Sequence, residues 1–289
     1  MNTPIRLAYL VSQYPAANHT FILREIRALR GCGFDVDVIS IRAADRPSEK
    51  LSPVEKEEQG RTWVVLTAGT GAILAAHAST FLRRPLPYLR GLTHAVGLAR
   101  GDLRKIYANI AYFAEAVVAG ARMNSLGLGH LHSHFTSTVA LLLTRVFPVS
   151  MSVTIHGPDE FNDVLGFYLA EKVARSRFIS AISSYARSQL MKASSPEFWN
   201  KIEVVPLGVD SSIFAPRPHR SNPARFEILC VGRLAPAKAQ HLLVEAVDHL
   251  VREGRNIHLR LVGDGPDRAT LEKSIAALSA SIINVLSQT

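Results

Sequence analysis

The fold of this chain is decided by the stretch Phe226-Glu-Ile-Leu-Cys-Val-Gly-Arg-Leu-Ala-Pro-Ala-Lys238, where an apolar run leads into a glycine and two basic residues. The apolar run is typical of a buried strand, and the residues after it predict an amphipathic helix and a second strand over 258–262. Together they form a βαβ unit. The second strand runs into another loop, Gly263-Asp-Gly-Pro266. Both loops therefore lie outside the carboxyl ends of parallel strands, where open α/β sheets bind ligands.

These two loops have the composition of a phosphate-binding site. Glycines allow backbone N–H groups to approach an anion closely, and the start of the following helix carries a partial positive charge. Arg233 and Lys238, five residues apart, add two full positive charges. Either loop alone is also typical of a simple turn. The pair, one βαβ unit apart, indicates a site for phosphate.

The pattern Val231-Gly-Arg-Leu234, followed after a short spacer by Lys238, resembles the donor-binding core of the retaining glycosyltransferases of family four. That family has the GT-B fold, an α/β architecture of two Rossmann-like, doubly wound domains. The resemblance implies that Arg233 and Lys238 hold the donor diphosphate and offset the charge that builds on the departing nucleotide. The glycine that often follows the lysine in the family is Ala239 here. The implied donor-binding residues are Gly232, Arg233, Lys238, Gly263, Asp264 and Gly265.

The N-terminal half predicts a second sheet of the same kind, beginning with a βαβ unit over 5–41. A later strand over 152–155 delivers His156-Gly-Pro-Asp159 to its carboxyl end, where a histidine is well placed to face a ligand. This run resembles the family's His-Gly-x-Asp motif, whose histidine contacts the donor sugar at the reaction centre. The resemblance assigns His156, with Arg233 and Lys238, to catalysis and Asp159 to its support. A helix N-cap is the alternative role of Asp159.

The same resemblance places further residues on the acceptor side of the site. The loop that contains Asn18 and His19 resembles the subset of the family that builds exopolysaccharides, of the colanic-acid type, although an ordinary loop before a helix explains it equally well. His134 ends a strand that in the family lies close to the interdomain cleft. Gly208 and Asp210 match the family's Gly-Val-Asp element at the domain junction, where Gly208 permits a tight turn.

Three histidines alternate along the strand that ends at His134. His130, His132 and His134 therefore share one face of the strand and could bind a metal. No Cys, Asp or Glu adjoins them in the sequence to complete the ligand set. The chemistry implied by the resemblance demands no metal, because Arg233 and Lys238 supply the positive charge. We expect no metal and no cofactor, with the nucleotide-sugar bound as a substrate; zinc is the alternative.

Composition and charge limit the partners and the location. The chain has 289 residues, 47% of them hydrophobic, which is enough for a large core and about two domains. Its formal net charge of +9 favours an anionic partner. No zinc-finger spacing, ribonucleoprotein aromatic motif or Lys-rich tract points to nucleic acid. The N-terminus has no signal-peptide pattern, and Cys32 and Cys230 lie far apart in apolar contexts typical of a core. We expect a reducing, cytoplasmic location.

A basic segment after residue 82 indicates a membrane surface. Residues 63–82 carry no Asp, Glu, Lys or Arg but are too polar for a transmembrane span, so we expect a strand and a helix there. Basic and apolar residues then alternate in a mixture able to rest on an anionic membrane, and a solvated basic face is the alternative. Because many family members use lipid-linked acceptors, the resemblance agrees with peripheral contact at the inner face of the cell membrane. Residues 42–61, with many charges and two prolines, are expected to form an exposed connection. The basic residues are Arg83, Arg84, Arg90, Arg100, Arg104 and Lys105.

The predicted organisation is an N-terminal acceptor-side Rossmann-like domain over 1–214, a Pro-rich linker over 215–225 and a partial nucleotide-sugar-binding domain over 226–289. The last segment is shorter than a usual domain. It lacks the acidic motif of two glutamates with which the family holds the donor ribose and sugar. We therefore expect a C-terminally truncated member with an incomplete donor site.

Three functional hypotheses follow. The leading one is a retaining glycosyltransferase that moves a sugar from a nucleotide-sugar donor to a polysaccharide or lipid-linked saccharide acceptor. Because the acidic motif is missing, the second is an inactive transferase that acts as a binding module. The third is a nucleotide-sugar epimerase on the same fold. A nicotinamide dehydrogenase is disfavoured, since no Gly-x-Gly-x-x-Gly follows the first strand.

Overall fold

The computed structural model describes residues 4–157, 159–216, 218, 225–278 and 283–286. The chain divides into two compact units, Met1–Ser211 and Ser212–Thr289, called unit 1 and unit 2 below. The sequence places the first domain boundary at residue 214 and a linker over 215–225. Residues 217 and 219–224 of that linker lie outside the described residues.

Unit 1 is built on a seven-stranded sheet with the strand order β3-β2-β1-β4-β5-β6-β7. Every neighbouring pair is parallel, so all the carboxyl ends lie along one edge. The chain order reverses between β1 and β4, which is the switch point where doubly wound sheets open a crevice for ligands. The strands are β1 (Arg6–Gln13), β2 (Asp35–Arg42), β3 (Thr62–Val64), β4 (His130–His134), β5 (Ser150–Ile155), β6 (Ile179–Ala181) and β7 (Ile202–Val204).

Helices cover both faces of this sheet, as predicted for a doubly wound domain. Alternate residues of β1 show why: Ala8 and Leu10 belong to one buried cluster, whereas Leu7, Tyr9 and Val11 belong to another on the opposite face. The helices are α1 (Thr20–Gly31), α2 (Pro53–Arg61), α3 (Thr70–Arg83), α4 (Pro85–Leu98), α5 (Leu103–Leu126), α6 (Ser137–Val146), α7 (Asp159–Asn162), α8 (Leu169–Arg175) and α9 (Ser184–Lys192).

The segment 42–61 is mostly exposed, as its composition predicts, but it is more than a connection. It contains the helix α2, which begins with a capping box between Ser52 and Glu55. The side chain of Glu58 is only 1% exposed and accepts hydrogen bonds from the Tyr14 hydroxyl at 3.0 Å and from Arg30 Nη1 at 2.6 Å. A buried carboxylate with two donors is well compensated. The helix therefore anchors the loop that follows β1.

Unit 2 contains the βαβ unit predicted from residues 226–266. Its sheet has the order β10-β9-β8, and both strand pairs are parallel. Buried residues of α10, with Val244 and Val247 at most 2% exposed, pack against Leu259 and Leu261 of β9. The elements are β8 (Phe226–Val231), α10 (Gln240–Arg252), β9 (Ile257–Val262), α11 (Arg268–Ala276) and β10 (Ile283–Leu286).

Two other expectations are tested by the fold. The apolar segment 63–82 forms the end of β3 and most of α3, which confirms a strand followed by a helix. Across the described residues, every helix is too short or too polar to cross a membrane. The expectation that Cys32 is a core residue is wrong: it lies exposed, directly after the last turn of α1.

Candidate functional site

The two glycine loops of unit 2 lie backbone to backbone beyond β8 and β9. Gly232 N–H donates to the Val262 carbonyl at 3.0 Å, and Leu234 N–H donates to the Asp264 carbonyl at 2.9 Å. A Cβ on Gly263 would come within 2.0 Å of the Gly232 carbonyl oxygen, and one on Gly265 within 2.2 Å of the Leu234 carbonyl oxygen. Only glycine fits at these two positions. The predicted donor-binding residues of unit 2 therefore form one continuous edge.

The two basic residues of this edge, Arg233 and Lys238, are exposed. Arg233 and Lys238 form no ion pair or side-chain hydrogen bond with any residue that the structure describes. The loop that carries both residues is held in place because the buried Gln240 donates from Nε2 to the Arg233 carbonyl at 2.9 Å. Lys238 closes a short 3-10 turn directly before α10, so both cations lie near the positive end of that helix. Two free cations at a helix N-terminus favour an anion.

In unit 1, a cluster of rings occupies the carboxyl edge at the switch point between β1 and β4. His134 ends β4 and His156 follows β5, and His134 Nδ1 lies 3.0 Å from His156 Nε2. The ring of Phe135 stacks on both His156, at 4.4 Å, and His19, at 4.7 Å. Three segments far apart in sequence thus meet here. The sequence predicted His19, His134 and His156, but gave no signal that Phe135 packs between two of them.

The charge state of this cluster follows from its burial. Burial and the neighbouring His134 lower the pKa of His156 to about 3, so its ring is neutral near physiological pH. Glu25, on α1, lies 3.6 Å from His134 and accepts a hydrogen bond from the Tyr9 hydroxyl at 2.6 Å. Burial alone would raise the pKa of Glu25, but His134 and Tyr9 together lower it to about 2. Glu25 is therefore a half-buried anion beside His134.

The loop of His156 is braced by a residue that the sequence did not single out. Glu160 Oε2 accepts the backbone N–H groups of His156 and of Gly157, both at 3.1 Å. Burial raises the pKa of this carboxyl, while the nearby Lys172 opposes the shift. Asp159 begins α7 next to it, and its supporting role stays a prediction. Nothing in the local sequence predicts that Glu160 accepts these two N–H groups.

A cavity of ≈ 240 Å³ opens beside this cluster at the same edge of the sheet. Its walls combine aromatic and charged side chains, a mixture that suits a saccharide. Buried Lys172 lines it, and burial lowers the pKa of its amine to about 8. Asn18 is exposed, as are Gly208 and Asp210 in the loop after β7, and none of the three lines this cavity. The lining includes Arg42, Tyr112, Phe135, Gly157, Glu160 and Lys172.

Two of the three histidines of β4, His132 and His134, lie close to a carboxylate. One potential ligand atom from each of Glu25, His132 and His134 lies within 4.8 Å of the other two. The expectation that no carboxylate lies near these histidines is therefore wrong, although Glu25 is distant from them in the sequence. Hydroxyl groups, however, occupy both ring nitrogens of His132: Ser152 Oγ at 2.7 Å and Thr154 Oγ1 at 2.9 Å. Hydrogen bonds alone account for this histidine. That the chain needs no metal stays a prediction.

Comparison with known proteins gives a family match for unit 2 and a distant relative over most of the chain. The family described as glycosyl transferases group 1 matches residues 212–283, which span most of unit 2. The colanic acid biosynthesis glycosyltransferase WcaL of Escherichia coli is 24% identical over 281 residues, covering 91% of this chain and 65% of its own length. The chain thus spans just under two thirds of that relative.

Two further proteins are similar to part of the chain or to its fold. A GDP-mannose-dependent phosphatidylinositol monomannoside mannosyltransferase of Mycolicibacterium smegmatis is 31% identical over 111 residues, which are 36% of this chain and 28% of that protein. The crystal structure of Anabaena HepE in complex with UDP matches with a TM-score of 0.62 at 12% identity, covering 98% of this chain and 69% of HepE. These matches confirm the α/β GT-B fold. Unit 2 thus matches the group 1 glycosyltransferase family, and over 91% of its length the chain is similar to the colanic acid glycosyltransferase WcaL.

Proposed function

We propose that the protein transfers a sugar, with retention of configuration, from a nucleotide-sugar to a saccharide or lipid-linked acceptor. The observation that carries the proposal is the pair of exposed cations, Arg233 and Lys238, on the glycine edge of the unit that matches the family, with no ion pair to any described residue. Such cations can bind a diphosphate through charge-assisted hydrogen bonds. HepE binds UDP and the mannosyltransferase is named for GDP-mannose, so both nucleotides are candidates for the donor.

Different residues can assist different parts of the sugar transfer. In the transfer, the bond between the anomeric carbon and the diphosphate oxygen breaks, and a bond from the acceptor hydroxyl forms on the same face of the sugar. The hydroxyl proton leaves with the diphosphate or to solvent. Arg233 and Lys238 offset the negative charge that develops on the departing diphosphate, where preorganised cations contribute most. His156, neutral at physiological pH, holds a donor-sugar hydroxyl.

The acceptor side includes a surface suited to a membrane. Four apolar side chains between 43% and 78% exposed stand on α3 and α4 beside Arg83 and Arg90. Arg84, also basic, is half-buried and lies over the Phe147 ring at 5.7 Å. Exposed apolar groups next to cations favour an anionic lipid surface, where lipid-linked acceptors are held. This basic apolar surface comprises Phe81, Leu82, Arg83, Leu86, Leu89 and Arg90.

Replacing both Arg83 and Arg90 with Glu is expected to abolish sedimentation with vesicles that contain anionic lipid. Each exposed cation near such a surface contributes about 1 kcal/mol, and the substitution also adds repulsion. The matched control replaces two exposed cations elsewhere in unit 1, Arg177→Glu and Lys192→Glu, with the same change in net charge. If the Arg83/Arg90 variant sediments as wild type does, or if the control loses sedimentation equally, the assignment of this surface to membrane binding is refuted.

The transfer itself is tested by incubating the protein with UDP-glucose, UDP-N-acetylglucosamine or GDP-mannose and a mixture of short saccharides and lipid-linked saccharides. The expected result is release of nucleoside diphosphate that depends on the acceptor, with retained anomeric configuration in the product by proton NMR. An inverted product would contradict retention. A changed sugar without acceptor would favour the epimerase, and donor binding without turnover would favour the binding module.

A further inference from the structure

The cavity of ≈ 240 Å³ in unit 1 is lined by a buried amine that has no hydrogen-bond partner. The side chain of Lys172, on α8, is only 1% exposed, and its Nζ forms no hydrogen bond with any described residue. Its Nζ lies 5.7 Å from the centre of the Phe167 ring, a contact that compensates little of the lost hydration. Glu160 attracts the amine, but its Oε2 accepts the N–H groups of His156 and Gly157. Because buried polar groups normally have partners, this amine is available to a ligand.

The N-terminus of α6 lies at the wall of the same cavity. Ser137, Thr138 and Val139, the first three residues of this ten-residue helix, line it. Their backbone N–H groups have no acceptor among the described residues. The residue before the helix, Thr136, does not cap it, because its hydroxyl donates to the Leu10 carbonyl at 3.0 Å. The cavity wall therefore includes uncapped donors at the positive end of a helix.

A second cation and two carboxyl groups complete the polar lining. Arg42, the last residue of β2, is exposed and forms no ion pair with any described residue. Glu115, on α5, also lines the cavity, and burial raises its pKa while Arg42 opposes the shift. Asp159 is exposed at the start of α7. The cations and the helix N-terminus suit an oxyanion, whereas the carboxyl oxygens of Glu115 and Asp159 can accept hydrogen bonds from sugar hydroxyls.

We propose that this cavity binds an acidic saccharide, whose carboxylate or phosphate group is held by Lys172, Arg42 and the N-terminus of α6. That the saccharide is the acceptor rests on the proposed function, whereas the binding does not. An oxyanion can accept charge-assisted hydrogen bonds from the amine and the guanidinium at once. A neutral sugar would leave the buried amine without a partner, so the cavity discriminates against it.

Calorimetric titration in the absence of donor tests the proposal. The ligands are methyl glucoside, methyl glucuronide and methyl glucoside 6-phosphate, together with the same three compounds of the galactose series. Wild type is expected to bind at least one acidic sugar at least about 10-fold more tightly than its neutral counterpart. Lys172→Met retains the apolar stem of lysine but removes its charge, so it should lose this preference. The control Lys192→Met, on the exposed side of α9 in the same unit, should keep it.

The site of binding is checked with Arg233→Ala, which removes a cation from the phosphate edge of unit 2. This variant should keep the preference for acidic sugars, because Lys172 lies in unit 1. The preferred ligand also distinguishes the two sources of the anion: the glucuronide indicates an acidic sugar ring, and the 6-phosphate indicates a phosphate carried by a sugar. Either preference supports the proposal.

Several results would overturn the proposal. Equal binding of acidic and neutral sugars by wild type, or no binding of any of them, would do so even if Lys172→Met fails to fold. A preference that Lys172→Met keeps, or that Arg233→Ala loses, would place the anion elsewhere. The two proposals fail separately: a preference that depends on Lys172 in a protein without transfer refutes only the transferase, and sugar transfer without binding of acidic sugars refutes only the acidic-saccharide site.

Discussion

Replacing Arg233 with Ala is expected to weaken the binding of UDP or GDP by about 100-fold, because losing charge-assisted hydrogen bonds to a phosphate costs about 3 kcal/mol. The guanidinium is exposed at the carboxyl edge of unit 2 and has no competing ion pair among the described residues, so its whole charge is available to the ligand. The loop backbone is held by Gln240 through the Arg233 carbonyl, which Ala retains. The loss should therefore reflect the ligand contact and not a change of loop.

Equilibrium dialysis with labelled nucleotide measures this loss, and Arg255→Ala is its matched control. Arg255 is also an exposed arginine of unit 2, but it precedes β9 and so lies at the opposite, amino edge of the sheet. The control should bind as wild type does. If Arg255→Ala weakens binding as much as Arg233→Ala, the effect is one of general charge. If neither variant changes binding, the assignment of Arg233 to the diphosphate is refuted.

Gly263→Ala is expected to separate the two glycine loops and to destabilise unit 2 by about 3 kcal/mol, the upper part of the usual range for overpacking. The added Cβ would lie 2.0 Å from the Gly232 carbonyl oxygen, and backbone cannot move aside as a flexible side chain can. The hydrogen bond from Gly232 N–H to the Val262 carbonyl would open as the strands part. Nucleotide binding should weaken with it.

Hydrogen exchange read by mass spectrometry over 226–262 measures the change, since both tryptophans of the chain, Trp63 and Trp199, lie in unit 1 and report on unit 2 poorly. Gly232→Ala is the control for stability: it changes the same residue type in the facing loop, but its Cβ meets no atom within 4 Å. Faster exchange in Gly263→Ala alone supports the close approach. Equal protection in both variants would show that the loops do not touch.

The parts of the fold that sequence predicts are those encoded locally. The βαβ unit of residues 226–262 is visible because apolar periodicity and glycine loops are both short-range signals. Ala239 shows the limit of motif matching: it stands where the family often has glycine, and it adopts φ +52, the left-handed conformation that glycine favours. The motif identifies the replacement of glycine by alanine, and the structure shows that this alanine adopts a backbone conformation uncommon for residues other than glycine.

The sequence does not predict contacts between side chains that are far apart along the chain. The polar composition of 42–61 predicts an exposed connection, yet Glu58 is buried because Arg30 and Tyr14 reach it from segments that no local pattern relates to it. Nothing in the sequence of α1 likewise predicts that Glu25 lies beside His134. The histidines of the site could be predicted from their strand ends, but their charge partner could not.

The central claim is that the carboxyl edge of unit 2 holds the diphosphate of a nucleotide-sugar. Calorimetric titration of the folded protein with UDP and GDP, each paired with its monophosphate, tests it most directly. We expect saturable binding of at least one diphosphate. Binding of the matching monophosphate should be at least about 10-fold weaker, because it offers Arg233 and Lys238 one phosphate group fewer. No binding of either diphosphate, or equal affinity for diphosphate and monophosphate, would contradict it.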